Sequence, residues 1–192
     1  MSVETEVKLR APSADAVREL LVKAGFLPEH ERAFEANTVF DTPEKSLLSR
    51  QHLLRLREFR GQAILTFKGA PLAGPHKSRP EFETVASDLN SLRQILLALG
   101  FQPSFRYEKF RTSYHRNGET GHAVLDETPI GIFLELEGDS EWIDRTAARL
   151  GFAPASYITA SYGSLWREHC SVLGLAAGNM VFPQKPHERG GC

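Results

Sequence analysis

The sequence predicts an α+β fold, with charged-faced strands on one side and amphipathic helices packed on the other. Three observations predict it. Segments such as ETEVKLR (4–10) alternate Glu4, Glu6, Lys8 and Arg10 with Thr5, Val7 and Leu9, and strict alternation marks a β-strand. A unit made of such a strand, a polar cap, an amphipathic helix and Gly-Phe occurs three times. Apolar residues at 41% and charged residues at 24% over 192 positions suffice for one domain with its own core.

The first unit runs from ETEVKLR into a helix from Ser13 to Ala24. Ser13 or Asp15 caps it, Val17, Leu20, Leu21 and Ala24 form its stripe, and Gly25 takes the left-handed end position before Phe26. NTVFDTPEKSL (37–47) reads as a strand stopped at Asp41-Thr42-Pro43, with Thr42 capping a short helix and Pro43 at its first position. LLRLRE (53–58) sets Arg55 and Arg57 opposite Leu54 and Leu56. AILTFKG (63–69) follows across a hairpin at Gly61-Gln62 and sets Thr66 and Lys68 opposite Leu65 and Phe67. A Pro/Gly loop spans 70–77. SRPEFET (78–84) groups Arg79, Glu81 and Glu83, and EFETVA (81–86) opens the second unit. Its helix is capped by Asp88, carries Leu89, Leu92, Ile95, Leu96 and Leu99, and ends at Gly100-Phe101. RYEKFRTSYH (106–115) groups Lys109, Arg111 and Ser113, NGETG (117–121) connects, and HAVLDET (122–128) offers Asp126. FLELEG (133–138) opens the third unit, whose helix is capped by Ser140, carries Ile143, Ala147 and Leu150, and ends at Gly151-Phe152.

Seven or eight strands thus turn charges to one face. On an open sheet that face is a solvated surface; in a closed barrel it is an interior. Buried charges cost on the order of several kcal/mol each unless water, ions or a charged ligand meets them. The inward candidates are the cations Lys8, Arg10, Arg55, Arg57, Lys68, Arg79, Lys109 and Arg111, nearly balanced by Glu4, Glu6, Glu81, Glu83, Asp126, Glu135 and Glu137. One Glu-x-Glu-x-Lys strand alone is most often a solvated strand with cross-strand ion pairs. Three carboxylate pairs, each opposite apolar residues that need burial, favour enclosure. Arginine and lysine clamp phosphate oxygens, and carboxylates hold hard divalent cations. One cavity with both sets would bind a metal–triphosphate complex, and phosphoryl transfer needs mainly such positioning and neutralisation.

Glu4-x-Glu6-x-Lys8, then LRLRE, TFKG, R-x-E-x-E, EKFRTSY, LDETPIGIFLELEG and SYGSLW, taken in order over residues 3–167, resemble the CYTH superfamily of triphosphate tunnel metalloenzymes. That superfamily includes class IV adenylyl cyclases, thiamine triphosphatases and inorganic triphosphatases. The resemblance implies a closed eight-stranded antiparallel β tunnel, or barrel, with a charged interior and helices outside. It implies Mg2+ or Mn2+ held by Glu4, Glu6, Glu135 and Glu137 with Asp126 nearby, and a triphosphate held by Lys8, Arg55, Arg57, Lys68, Lys109 and Arg111. Arg79, Glu81 and Glu83 would line the same channel, and Glu4, Glu6 and Lys8 would be the catalytic group. FDTPEKSL, LRLRE and GPHKSRPE resemble thiamine triphosphatases, whereas LLALGFQPSFRYEKFRTSYH and SYGSLW resemble class IV cyclases. The expected activity is hydrolysis of inorganic, thiamine or nucleoside triphosphate, which asks for charge neutralisation and one oriented water. An adenylyl cyclase releasing pyrophosphate is the alternative, and a non-catalytic polyphosphate or nucleotide binder the second.

The bulk properties narrow the rest. A net charge of −1 offers no field for nucleic acid or acidic membranes. No run approaches the ~18 apolar residues of a membrane span, and the N-terminus does not read as a signal peptide, so the expected location is the cytoplasm. Cys170 and Cys192 cannot build a zinc site or a disulfide framework, and no glycine-rich phosphate loop is present. His30, His52, His76, His115 and His122 lack metal spacing and read as surface or strand residues, and Trp142 and Trp166 as core or partial-core aromatics. Asp41 reads as a turn residue. Ser161-Tyr162 would close a tunnel mouth or pack a helix. The tunnel domain is expected over 1–170 and a flexible tail over 171–192. The partner is a small-molecule triphosphate, with a homodimer through exposed helices possible in principle.

Overall fold

A computed structural model describes residues 2–183 of the protein. Eight strands, β1 (Ser2–Ala11), β2 (Leu27–Asp41), β3 (Leu53–Phe59), β4 (Gln62–Lys68), β5 (Lys77–Ala86), β6 (Gln102–His115), β7 (His122–Thr128) and β8 (Gly131–Glu137), form a closed barrel. Its order is β1-β5-β4-β3-β2-β6-β7-β8, with every neighbouring pair antiparallel. Closure removes both sheet edges and turns the charged face of every strand into an interior, as the alternation requires. The helices are α1 (Ala14–Lys23), α2 (Ser46–Ser49), α3 (Leu89–Ala98), α4 (Ser140–Arg149) and α5 (Tyr162–Val172).

The apolar faces of the strands are covered from outside. Val7, Leu9, Leu125, Leu134 and Leu136 pack against Val17 and Leu21 of α1 and Ile143 and Ala147 of α4 in one buried cluster. Leu54 and Leu56 pack against Leu96 of α3 in another. The repeated Gly-Phe endings are Schellman closures: Gly25, Gly100 and Gly151 have φ of 83°, 89° and 82°. In each, the phenylalanine N–H reaches five residues back, from Phe26 to Leu21 O, Phe101 to Leu96 O and Phe152 to Ala147 O.

Several local expectations are corrected. β2 begins at Leu27, not Asn37, because its polar face continues upstream through Glu35 and pairs with β6 at Ala33↔Arg111, Glu35↔Lys109 and Asn37↔Tyr107. The short helix starts at Ser46, three residues beyond Pro43. Asp41 anchors it, its carboxylate accepting from the N–H groups of Thr42, Leu47 and Leu48 at 2.8–2.9 Å, so this aspartate is more than a turn residue. Thr42 contributes by accepting from Ser46 N at 3.2 Å. Asp139, not Ser140, caps α4, accepting from Trp142 N at 2.7 Å, since it alone stands outside the helix three residues before that donor. The β3–β4 turn is Arg60-Gly61, both with positive φ, the conformation a tight hairpin wants.

The segment expected as tail begins inside α5, and part of it is docked. Met180 is fully buried, bonded to β6 through Met180 N→Arg106 O and Glu108 N→Met180 O, both 2.9 Å. Residues 184–192, including Cys192, lie outside the described residues.

The β6–β7 connection holds one strict steric requirement. A Cβ on Gly121 would stand 2.3 Å from Trp142 Cδ2, and Trp142 is only 3% exposed. Gly121→Ala is therefore expected to lower stability by about 1–3 kcal/mol through overpacking. A urea midpoint equal to that of the parent would refute this.

Candidate active site

The barrel interior is a cavity of about 1470 Å³, larger than the roughly 300–1,000 Å³ of ordinary small-molecule sites. Among its walls are Glu4, Glu6 and Lys8 of β1, Arg55 and Arg57 of β3, Lys68 of β4, Arg79, Glu81 and Glu83 of β5, Lys109 and Arg111 of β6, and Glu135 and Glu137 of β8. Thirteen of the fifteen charges expected to face inward therefore line one space.

Two of the fifteen stand apart. Arg10 is exposed at the end of β1, donating to Ile130 O at 3.2 Å with its guanidinium 4.8 Å from the Phe133 ring centroid. Its guanidinium rests on the buried Phe133 ring, and neither residue is on the cavity wall. Asp126, fully buried, faces inward but is covered by Lys109 (2.8 Å), Arg111 (2.7 Å) and the hydroxyl of Tyr162 (2.9 Å). It acts as counter-ion to two cations. Burial opposes its ionisation, but Arg111 and Lys109 hold its pKa below the usual carboxylate value.

Glu4, Glu6 and Glu137 converge. One carboxylate oxygen of each lies within 4.8 Å of the others. Glu6 accepts from Lys8 at 2.8 Å and Lys77 at 2.5 Å, and Glu4 accepts from Lys68. Burial works against the Glu6 charge, yet Lys8, Lys77 and Lys68 keep its pKa well below the ordinary value. Glu137 goes the other way. Burial first, then the nearby charges of Glu135, Glu4 and Glu6, push it up to about 7 against the pull of Arg111. A carboxyl raised by its acidic neighbours is one a cation would return to its ionised form. These three carboxylates fit a hard divalent ion, which takes oxygen donors. Glu135 is instead paired with Lys8 at 3.2 Å and Arg111 at 2.5 Å.

The cations divide by what they already hold. Arg55 donates to Tyr107 Oη at 3.3 Å and Thr66 Oγ1 at 3.2 Å. Arg57 pairs with Glu83 at 3.0 Å, and Lys68 with Glu4 and with Glu81 at 3.3 Å. Arg79 is engaged with backbone: its guanidinium donates to the carbonyls of Gly69, Gln51 and Lys68, tying the ends of β3, β4 and β5 together.

Sequence reasoning missed several members. Glu35 is fully buried behind the cations, within 3.5 Å of Lys109, 3.7 Å of Arg57 and 3.8 Å of Arg111, with Asn37 Nδ2 donating to its Oε1 at 2.9 Å. Its Oε2 has no hydrogen-bond partner among the described residues. The available signal was the polar period Glu31-x-x-x-Glu35-x-Asn37, masked by Phe34, which stands 44% exposed on the outer face. Lys77, on Glu6, was read as loop. His76 was read as a surface or strand residue but is 7% exposed, lines the cavity and meets Asp144 Oδ1 at 2.8 Å. Tyr162, at the start of α5, packs in a buried cluster and also lines the cavity, its ring 5.3 Å from Lys8 Nζ and 5.2 Å from Lys109 Nζ.

No helix among the described residues is long and apolar enough to cross a membrane. A protein of Methanocaldococcus jannaschii, named as a candidate adenylate cyclase, is 30% identical over 136 residues, covering 70% of this chain and 76% of its own. Among solved structures, a candidate adenylate cyclase from Vibrio parahaemolyticus superimposes with a TM-score of 0.74 at 22% identity, covering 85% of this chain and 97% of that one. A candidate adenylyl cyclase from Hippeastrum, for which a dominant triphosphatase activity is described, gives 0.60 at 20% identity over 88% and 96%. The CYTH domain model matches residues 2–162. With the charged, closed barrel that the alternation called for, that match places the chain in the CYTH domain family.

Proposed function

We propose that the protein is a divalent-metal-dependent triphosphatase acting on a small-molecule triphosphate. One observation carries the reading: in a single cavity, a carboxylate triad faces a set of cations already fixed by buried counter-ions. Glu4, Glu6 and Glu137 would hold the ion. When bound, a hard divalent cation, magnesium or manganese, supplies Lewis-acid neutralisation of phosphoryl oxygens. Lys8, Arg55, Arg57, Lys68, Lys109 and Arg111 would bind the phosphate oxygens, and arginine can take two of them at once. Glu35, Asp126 and Glu135 fix Lys8, Arg57, Lys109 and Arg111 before the substrate arrives, so neutralisation of the transferring group costs little reorganisation. The protein positions the terminal phosphorus for in-line attack by water, and the leaving diphosphate keeps its charge against the same cations. A cyclase reading is favoured by the name of the Methanocaldococcus relative. It needs the same clamp but a ribose oxygen as attacker at the α-phosphorus.

Purified protein incubated with tripolyphosphate, thiamine triphosphate and ATP, each with magnesium or manganese, separates the readings. Orthophosphate without cyclic AMP is expected. Cyclic AMP with equimolar pyrophosphate would make it a cyclase, and no product from any substrate would leave a binder.

The raised Glu137 also sets a pH dependence. Its folded value of about 7 exceeds its ordinary 4.5, so between those values the folded protein holds a proton that the unfolded chain has released. Metal-free stability from this group is therefore full below about 4.5 and lost as pH rises towards 7. The lowered groups Glu6, Glu35 and Asp126 act below that window, where acid removes their contribution. Added magnesium is expected to raise the melting temperature more at pH 8 than at pH 5.5, because it binds the ionised triad, and Glu137→Gln should shrink that difference. A magnesium shift independent of pH in the parent would refute the assignment.

A further inference from the structure

The family match ends at residue 162, yet the chain beyond it builds part of the cavity, whose wall includes Ala177, Gly178 and Asn179. β7 pairs with β6 only from Phe110 to His115, so the half of β6 before Phe110 lacks that neighbour. Residues 177–182 run along it as a strap. Met180 bridges to Tyr107 in parallel sense, through Met180 N→Arg106 O and Glu108 N→Met180 O. Asn179 Oδ1 accepts from Arg106 N at 2.8 Å, and Phe182 N donates to Glu108 Oε2 at 3.2 Å. Among the described residues from 171 onward, Met180 alone is buried. It packs in one cluster with Tyr107 and Tyr162, the two rings that meet the charged groups. Tyr107 accepts from Arg55 at 3.3 Å, while Tyr162 donates to Asp126 at 2.9 Å and stands beside Lys8 and Lys109. Met180 itself is not on the cavity wall, and neither is Phe182.

We propose that Met180 is a positioning residue for the phosphate clamp: it docks the strap, the docked strap holds Tyr107 and Tyr162 against the cations, and an anion on those cations holds the strap in return. This rests on the reading of the cations as a triphosphate clamp. A segment fixed by a few hydrogen bonds and one buried side chain opens locally without unfolding the barrel. When it opens, both tyrosine rings lose packing atoms on one side, and the cations they touch lose a fixed neighbour. If the clamp binds an anion better with the strap docked, the anion must stabilise docking by the same factor, because such coupling is reciprocal.

Hydrogen exchange on the full chain, with and without tripolyphosphate and without metal, reads the coupling at the amides of Met180 and Glu108. Calorimetry under the same conditions reads binding. Tripolyphosphate should slow exchange at both amides by about fivefold or more, while amides of α3, remote in the chain from strap and clamp, keep their rates. Met180→Ala should weaken tripolyphosphate binding by a similar factor, and Met180→Leu, which refills the space, should restore it. If Met180→Ala does not fold, Phe182→Ala serves instead. It loosens the strap through the ring contact with Phe110, centroids 5.3 Å apart, and should weaken binding in the same direction. A strap that only adds stability would lower the urea midpoint of these variants and leave exchange indifferent to the ligand. Tripolyphosphate binding to the parent with unchanged strap exchange, or binding to a strap variant as tightly as to the parent, would therefore overturn the coupling and leave the clamp standing. No binding to the parent, with the two amides protected all the same, would overturn the clamp and the coupling with it.

Discussion

Glu6→Gln is expected to lower metal-dependent turnover by about 10²–10³-fold, the loss typical when one electrostatic group is removed from a transition state's surroundings. Glutamine keeps the length and one acceptor, so the barrel register at Glu6↔Lys77 and Glu6↔Glu137 has no steric reason to change. What disappears is charge, in two places. The triad with Glu4 and Glu137 drops to two carboxylates, and magnesium affinity should fall with it. Lys8 and Lys77 also lose a partner. Lys8 keeps Glu135 at 3.2 Å, whereas Lys77 has only Glu6 among the described residues, and burial already lowers its pKa. An uncompensated buried cation can cost about 3–5 kcal/mol, so a loss of activity alone would not separate metal binding from folding. Glu6→Gln combined with Lys77→Met removes that ambiguity. The double variant should recover stability but not turnover, and calorimetry should show weakened magnesium binding in both. Parent-like turnover in either variant would sink the assignment of Glu6 to the ion.

How much of this was legible in the sequence depends on whether a residue's role is set along its own strand or across strands. β1 was legible because Val7 and Leu9 need burial, which forces Glu6 and Lys8 to the other face whatever the strand's neighbours are. The same logic gave Arg55 and Arg57 from Leu54 and Leu56, and Glu135 and Glu137 from Leu134 and Leu136. The Gly-Phe helix endings were legible because a left-handed glycine closure is local. The company each charge keeps was not legible. Asp126 stands beside Arg111 only because β6 and β7 pair in that register, and Arg79 reaches three carbonyls only because the barrel brings Gly69 and Gln51 together. Hydrophobic alternation is blind to such pairings. It also misleads where apolar residues on the outer face stay exposed, as Phe34 and Phe82 do at 44% and 53%. At Phe34 this hid the inward Glu35 from a reading that equates apolar with inside.

Glu35→Leu should be among the most destabilising substitutions in the chain, by about 3–5 kcal/mol. It leaves Lys109, Arg57 and Arg111 facing one another with their shared anion gone. Asp126 and Glu135 still hold Arg111, and Glu83 holds Arg57, so the barrel should remain folded at a lower urea midpoint. Glu35→Gln retains the polar contact to Asn37 and should cost less while removing the same charge. The consequence for binding has the opposite sign. Glu35 is not on the cavity wall; it neutralises from behind the cations that a triphosphate would neutralise from the front. Removing it raises the net positive charge presented to the cavity and leaves an anionic ligand as the best remaining counter-charge. Tripolyphosphate without metal should therefore raise the melting temperature of Glu35→Gln by more than it raises that of the parent, even though the variant starts lower. If Glu35 merely filled space in the wall, the two shifts would be equal, and that equality, measured by thermal unfolding over a ligand titration, would remove it from the binding machinery. A larger shift would mean that the protein spends stability on holding its cations apart from solvent and ready, with a buried carboxylate keeping the place of the substrate's charge until it arrives.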